Sequence, residues 1–319
     1  MHIKIGTRKS KLALWQANHI ADLLQAAGNT TQLVLIDTTG DKMQLVSIPK
    51  IGSKGVFTKE LEEALLNGSI DIAVHSAKDM PSELPEGLEL IAFTKREFIR
   101  DVIISHNPDF RLEAGKGSPL IGSSSTRRRA MLSRWYPNAR TVEARGNLQT
   151  RIDKMEHGIC EALLLAEAGV RRMQYDSMIV QVLPETLFTP AAGQGSIAIE
   201  TAGDLNPGIK DAVRVACNYE EAELCLAAER AFLHTMQGGC SVPVFCLVKP
   251  EGKMLKFHGG IFSLDGKKLA EYTDLITANN SSHAENLETA INAGKNAGQS
   301  ILDSGGVDIL AAIKKDLGR

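Results

Sequence analysis

Ile3-Lys4-Ile5-Gly6, then Thr7-Arg8-Lys9-Ser10, then the run from Lys11 to Ala27, then Gln32-Leu33-Val34-Leu35-Ile36-Asp37 is the stretch that decides the fold. The first and last pieces are β-branched and apolar enough to read as strands. Between them, Leu12, Trp15, Ile20, Leu23 and Leu24 share one helical face, and Gly28 ends that helix. The same alternation continues: Asp71–His75, Glu89–Phe93, Asp101–Ser105, Thr141–Ala144 and Glu161–Leu165 read as strands. Thr58–Asn67, Ser125–Trp135 and Asn147–Glu156 read as helices. Strands alternating with helices predict α/β architecture with doubly wound, mainly parallel sheets.

Two such units span about 1–94 and 100–189, and the glycine-rich, then apolar segment Thr189–Ile199 carries the chain back to the first. From residue 218 the texture changes. A helix over Tyr219–Thr235 leads to Gly238-Gly239-Cys240, and the strands Met254–Ser263 and Lys268–Ile276 are joined through Asp265-Gly266, a hairpin signal. A helix over about Ala284–Asp303 follows. The expected organisation is a first α/β domain of residues 1–94 with 195–217, a second of residues 100–189, and a small α+β domain of residues 218–319.

The 319 residues suffice for two or three domains, and 43% hydrophobic with 23% charged residues is the composition of a folded globular protein. The N-terminal strand is followed by no apolar run or cleavage signature, and no stretch is long enough to span a membrane, so a cytoplasmic enzyme is expected. Five cysteines, at 160, 217, 225, 240 and 246, show no C-x-x-C pair. Reduced thiols are the expectation, with no disulfide framework and no metal site. Four of them sit in or beside helical or strand patterns and read as buried small hydrophobes. Cys240, between Gly238-Gly239 and Ser241-Val242-Pro243, sits where the backbone can leave a thiol accessible.

Twelve of the sixteen arginines lie between Arg96 and Arg172, although the net charge is only −2. Either they form a solvated basic face, or they grip carboxylates or phosphates in bidentate fashion. Their positions favour the second reading. Thr7-Arg8-Lys9-Ser10, Ser123 to Arg129, and Arg145-Gly146-Asn147 with Arg151 all stand at strand-to-helix junctions. Ser, Thr and Asn belong there as caps, but cations in a first helical turn oppose the helix dipole unless an anion sits in front of them. Ser76-Ala77-Lys78-Asp79 follows an apolar strand, where ligand-contacting groups collect. There Asp79 is either half of a surface ion pair with Lys78 or a carboxylate aimed at a cationic intermediate. The long connection from Thr38 to Val56, with Lys50 and Gly52-Ser53-Lys54-Gly55, is of lid length but lacks the phosphate-loop pattern. Phe57 at its end is either core or a stacking surface. A nucleic-acid binder is disfavoured by the net charge of −2 and 5% aromatics.

Taken together, these stretches resemble the porphobilinogen deaminase (hydroxymethylbilane synthase) family of tetrapyrrole biosynthesis. The matching runs are Thr7 to Ser10 with Leu12 to Ala17, Lys54 to Leu61, Ala73 to Pro81, Ser124 to Arg128, Arg145 to Asn147, Pro190 to Gly195 and Gly238 to Pro243, in order from residue 3 to about 247. The resemblance implies two periplasmic-binding-protein-like domains plus a smaller α+β domain. It implies a transferase that joins four porphobilinogen molecules head to tail with loss of ammonia and then releases hydroxymethylbilane by hydrolysis, for uroporphyrinogen-III synthase to take up. It implies a dipyrromethane cofactor held by a thioether to Cys240, and Asp79 as the essential aspartate at the pyrrole N–H groups. Arg8, Ser10, Ser76, Lys78, Ser125, Thr126, Arg127, Arg128, Arg145, Arg151 and Arg172 match positions around the acetate and propionate groups. Lys50 and Lys54 match a flexible loop (residues 38–56), Phe57 a residue flanking the rings, and Gln194 one near the interdomain hinge. The implied enzyme works as a monomer, without metal, nucleic acid or membrane. Thr126, Ala192 and Lys11 depart from the leucine, valine and proline that many relatives carry, and none of the three removes a charged group. The alternative is a non-catalytic carboxylate-binding protein on the same two-lobed scaffold, which would need neither Asp79 nor Cys240.

Overall fold

A computed structural model describes residues 1–42, 58–237, 239, 241–278 and 282–318. Cys240, Lys50, Lys54 and Phe57 lie outside the described residues. The chain forms two compact units, one of residues 1–42, 58–97 and 193–224, the other of residues 98–192 and 225–318.

The strands are β1 (His2–Arg8), β2 (Thr30–Ile36), β3 (Ile72–Ser76), β4 (Leu88–Phe93), β5 (Asp101–Ile104), β6 (Leu120–Gly122), β7 (Arg140–Val142), β8 (Ala162–Ala166), β9 (Ile179–Val182), β10 (Ile197–Ala202), β11 (Val244–Glu251), β12 (Met254–Phe262) and β13 (Leu269–Ile276). The helices are α1 (Lys11–Ala26), α2 (Thr39–Lys42), α3 (Lys59–Leu66), α4 (Thr126–Trp135), α5 (Leu148–Glu156), α6 (Glu167–Arg172), α7 (Pro207–Cys217), α8 (Glu220–Thr235), α9 (His283–Ile301) and α10 (Val307–Asp316).

The first unit holds a five-stranded sheet in the order β2-β1-β3-β10-β4. β1 runs parallel to β2 and β3, whereas β10 runs antiparallel to both β3 and β4. The returning segment thus inserts a strand of opposite direction into an otherwise parallel sheet. Ile3, Ile5, Ile72, Val74, Ile197 and Ile199 bury one face against α1 and α7. Ala73 faces Leu61, Ala64 and Leu65 of α3 on the other. Two-sided burial is the reason these strands read as nearly continuous apolar runs. Ser10 caps α1 by accepting the Ala13 amide, so the sequence-level expectation for that helix holds at its start.

The second unit contains the matching sheet, in the order β7-β6-β8-β5-β9, with β5 as its antiparallel strand. Both sheets are mixed rather than purely parallel. The unit also contains the three-stranded antiparallel sheet β11-β12-β13, against which α9 packs. The Asp265-Gly266 hairpin forms as expected, and it leans on α4: Gly266 approaches the Ala130 carbonyl and Arg134 donates to the Lys267 carbonyl at 3.0 Å. Cys160, Cys217, Cys225 and Cys246 are buried and form no disulfide among the described residues, and burial pushes Cys217 up to about 12. No described helix is long and apolar enough to cross a membrane.

Candidate active site

In the first unit the chemistry-bearing residues stand at the carboxyl ends of β1 and β3. Arg8 ends β1 half-buried, while Lys9 turns outward to an exposed pair with Asp37 at 2.8 Å. The Thr7 hydroxyl, fully buried, donates to the Ala13 carbonyl at 3.1 Å, and Ser10 caps the same turn of helix. The junction is therefore fixed from both sides, and Arg8 has a set point of departure.

β3 is buried until Ser76, whose hydroxyl accepts from the Gln16 side-chain amide at 2.9 Å. A 3-10 turn over Ala77–Asp79 then brings Lys78 and Asp79 to the surface, while buried Ala77 and Met80 pin its two ends. The Ala77 amide donates to the Ser196 carbonyl at 3.0 Å. Gly193, at φ +74°, lies so close that a Cβ there would be 2.8 Å from Ala77 C and Lys78 N. Gln194 is buried beside it, and its carbonyl accepts from Arg96 Nε at 2.9 Å. The turn bearing Asp79 thus has a second wall. Gly193→Ala meets both a left-handed φ and a backbone clash, so it should lower stability by at least about 1 kcal/mol. A denaturant titration against wild type checks this, and an unchanged midpoint would contradict the close approach.

In the second unit the run of arginines divides. Arg129 is exposed, but Arg127 and Arg128 are buried at 4% and 6% exposure. Both meet Asp101, the first residue of β5 and itself fully buried. Arg127 Nη1 lies 2.8 Å from Asp101 Oδ2; Arg128 approaches Oδ1 through Nη2 at 2.8 Å and through Nε at 3.1 Å. Burial alone would raise the Asp101 carboxyl, but the two guanidinium groups outweigh it and hold it well below the usual carboxylate range. Arg127 also donates to the Thr189 carbonyl at 2.8 Å. Among the described residues, two guanidiniums meet this one carboxylate, Asp101, at the amino end of α4. Ser125 caps that helix by accepting the Arg128 amide, and Thr126 is its first residue. The hydroxyls of Ser123 and Ser124 are buried there without a hydrogen-bond partner among the described residues.

The third junction is built the same way. Asn147 caps α5, and Arg151 Nε donates to the Gly146 carbonyl at 2.8 Å. Arg145 forms a two-point pair with Glu143, both bonds at 3.0 Å, and Lys154 donates to the Arg145 carbonyl at 3.0 Å. Arg172 ends α6 and is buried at 9% exposure. Ser10, Ser76, Lys78, Asp79 and Gln194 therefore belong with Arg8 in the first unit, and Ser125 to Arg128, Arg145, Arg151 and Arg172 in the second.

Sequence reasoning missed Asp101 and Thr189. The signal for Asp101 was present: an acid heading the wholly apolar run Val102-Ile103-Ile104 must find a cation, and the chain supplies arginines in excess. Thr189 gave none. It is a junction in the second unit, since its hydroxyl lies 3.2 Å from His258 Nδ1 of β12 and its carbonyl holds Arg127.

Buried guanidiniums, with hydroxyls that lack a hydrogen-bond partner among the described residues, at a helix amino end in an α/β lobe, are chemistry suited to a small anion. Placed beside known proteins, the chain belongs to the porphobilinogen deaminase family. The family model for the porphobilinogen deaminase dipyrromethane cofactor binding domain matches residues 3–207, and that for the porphobilinogen deaminase C-terminal domain matches residues 223–303. The porphobilinogen deaminase of Desulfosudis oleivorans is 49% identical over 315 residues, covering 99% of each chain. That of Cytophaga hutchinsonii is 49% identical over 319 residues, covering 99% of this chain and 98% of the relative. The likeness therefore extends well past residue 247. Among solved structures, the VFT2 domain of Bordetella pertussis BvgS aligns with a TM-score of 0.44 at 16% identity, over 67% of this chain and 86% of that one.

The cofactor in the family description is suited by the α4 cradle. Its pyrrole rings carry acetate and propionate, and a carboxylate at the head of α4 would meet the Arg127 and Arg128 guanidiniums and the Ser123 and Ser124 hydroxyls, which have no hydrogen-bond partner among the described residues.

Proposed function

We propose that this chain is a transferase that condenses four porphobilinogen molecules head to tail, releasing ammonia each time, and frees the product as hydroxymethylbilane. The observation that supports the reading is the head of α4, where two buried guanidiniums share one carboxylate beside two buried hydroxyls that have no hydrogen-bond partner among the described residues. Dipyrromethane, when bound, supplies the terminal pyrrole carbon to which porphobilinogen is joined.

The chain's own residues divide the remaining work. Arg127, Arg128, Ser125 and Thr126 hold carboxylates at the head of α4; Arg145, Arg151 and Arg172 hold others in the same unit. Arg8, Ser10, Ser76 and Lys78 do so from the first unit. Asp79, on its pinned turn, stabilises the positive charge that develops on the substrate pyrrole as ammonia leaves, and accepts hydrogen bonds from pyrrole N–H groups. Gln194 acts near the crossing of the chain between lobes. Lys50 and Lys54 act from the 38–56 loop, Phe57 flanks the rings, and Cys240 is the thioether attachment point.

This assigns catalysis to a first domain of residues 1–94 with 195–217, carboxylate binding to residues 100–189, and cofactor anchoring to residues 218–319. We also propose that the enzyme acts as a monomer in the cytoplasm and hands its product to uroporphyrinogen-III synthase.

Intact mass spectrometry tests the reading. Freshly purified protein should exceed its sequence mass by a two-pyrrole adduct, and Cys240→Ala should lose it. A mass equal to the bare chain in protein that releases ammonia from porphobilinogen would overturn the assignment.

A further inference from the structure

The antiparallel sheet of the second unit turns one face to the chain that leads into the anion site. Its register places Phe245, Lys249, His258, Phe262, Leu269 and Glu271 on that face, because directly paired residues point the same way. Phe257 points to the other face, where its ring meets Phe232 of α8 at 5.3 Å. Phe245 and Phe262 pack with Phe188 and with Ala130 and Met131 of α4 in a single core. Around that core the segment 185–190 is held by side chain and backbone alike. Glu185 pairs with Lys249 of β11, and the Cys246 amide donates to the Pro190 carbonyl at 3.1 Å. The Thr189 hydroxyl, on a residue only 2% exposed, donates to the Glu185 carbonyl at 2.9 Å and lies 3.2 Å from His258 Nδ1. His258 is itself seated from two sides. Its Nε2 lies 3.2 Å from Glu271 Oε2, and its ring meets that of Phe245 edge-on, with centroids 5.4 Å apart.

What this segment delivers to the site is a carbonyl. The Thr189 carbonyl accepts from Arg127 Nη1 at 2.8 Å, and Asp101 Oδ2 lies 2.8 Å from the same nitrogen. A terminal guanidinium nitrogen carries two hydrogens, so these two oxygens take up both. The group is planar, and fixing one nitrogen in this way fixes the direction in which the rest can face a ligand. Asp101 alone would leave the plane free to turn about one contact. We propose that His258 is a positioning residue for the anion site: seated on Glu271, it fixes Thr189, and the Thr189 carbonyl sets the aim of Arg127. Without His258 the hydroxyl keeps its bond to Glu185, four residues back in the same segment, but no longer ties Thr189 to β12. The hairpin that links β12 to β13 grips the body of α4 separately, through Arg134 on the Lys267 carbonyl. Loss of His258 therefore leaves α4 in place and changes the aim of the side chain at its head.

This inference rests on the proposed function, and the test separates the two. Full-length wild type, His258→Phe, His258→Asn, Thr189→Val and the double variant of His258→Phe with Thr189→Val are compared for adduct mass, unfolding midpoint, kcat and KM for porphobilinogen. His258→Phe keeps a ring against Phe245 but has no nitrogen for Thr189. It should keep the adduct and raise KM about fivefold, the scale of one hydrogen bond, with kcat within about twofold. A merely structural loss would instead lower the midpoint and leave KM as in wild type. His258→Asn, whose side-chain amide reaches toward the hydroxyl from near the Nδ1 position, should recover most of KM. Thr189→Val should raise KM at least as much as His258→Phe, and the double variant no more than Thr189→Val, since both changes remove the same contact. A wild-type KM in either single variant, or losses that multiply in the double variant, would overturn the proposal. Thr189→Val decides alone if His258→Phe does not fold. A wild type that releases no ammonia from porphobilinogen would instead remove the functional reading. The unfolding midpoints would then judge the clamp, and losses that simply add in the double variant would sink it.

Discussion

Asp79→Asn is expected to keep the two-pyrrole adduct and to lose turnover by about a hundred- to a thousandfold, the scale of removing one preorganised electrostatic contact from a transition state. The substitution preserves shape and a hydrogen-bond acceptor, so pyrrole N–H groups still find an oxygen. On the proposed role of Asp79, what disappears is the fixed negative charge facing the cation that forms when ammonia departs. The structure gives that charge a rigid mount: the turn is closed by buried Ala77 and Met80, tied to Ser196, and backed by Gly193. Rigidity matters because a group that need not reorient stabilises developing charge at no further cost in reorganisation. The loss should appear in kcat with little change in KM, since the interaction strengthens in the transition state rather than on binding. Single-turnover measurement of ammonia release against adduct mass separates assembly from catalysis. Turnover within a factor of a few of wild type would show that Asp79 is a surface acid and nothing more.

Much of this arrangement is legible without coordinates, and the reason is local. Helix caps, apolar periodicity and an arginine at the wrong end of a helix are all properties of a few neighbouring residues. Ser10, Ser125 and Asn147 cap the helices that their positions predict. The Asp265-Gly266 hairpin likewise forms where the dipeptide stands. What escaped was short or non-local. β6 has three residues and β9 four, too few for a period to declare itself, and α6, α7 and α10 went unread. The antiparallel sense of β5 and β10 depends on strand order, which no local pattern encodes. The same holds for function. The arginines announced an anion site, but two of them turned out to spend part of their charge on Asp101, brought to α4 only by the placement of β5 beside β8. The residues that touch a ligand are marked by being chemically out of place, whereas those that hold them are marked only by their burial.

Asp101→Asn follows from that last point and should be the most damaging single change in the second unit. The wild-type cluster sets two buried guanidiniums on one buried carboxylate. Taking away the charge leaves both cations in a low-dielectric site, a change that typically costs about 3–5 kcal/mol for a broken buried pair. The sign of the pH dependence is fixed by the direction of the shift. Asp101 is held below its ordinary 3.8, so its stabilisation is complete above that value and is lost as pH falls through the depressed one. Wild type should therefore lose stability in acid more steeply than Asp101→Asn, and the two unfolding midpoints should converge as pH drops. The variant should also retain less of the two-pyrrole adduct, because Arg127 and Arg128 no longer have a carboxylate to aim them. A small polyanion offers a decisive contrast. Adding sulfate should raise the midpoint of Asp101→Asn more than that of wild type, since an external anion can stand in the place of the missing carboxylate. Equal sulfate responses together with parallel acid profiles would show that Asp101 does not organise the cluster.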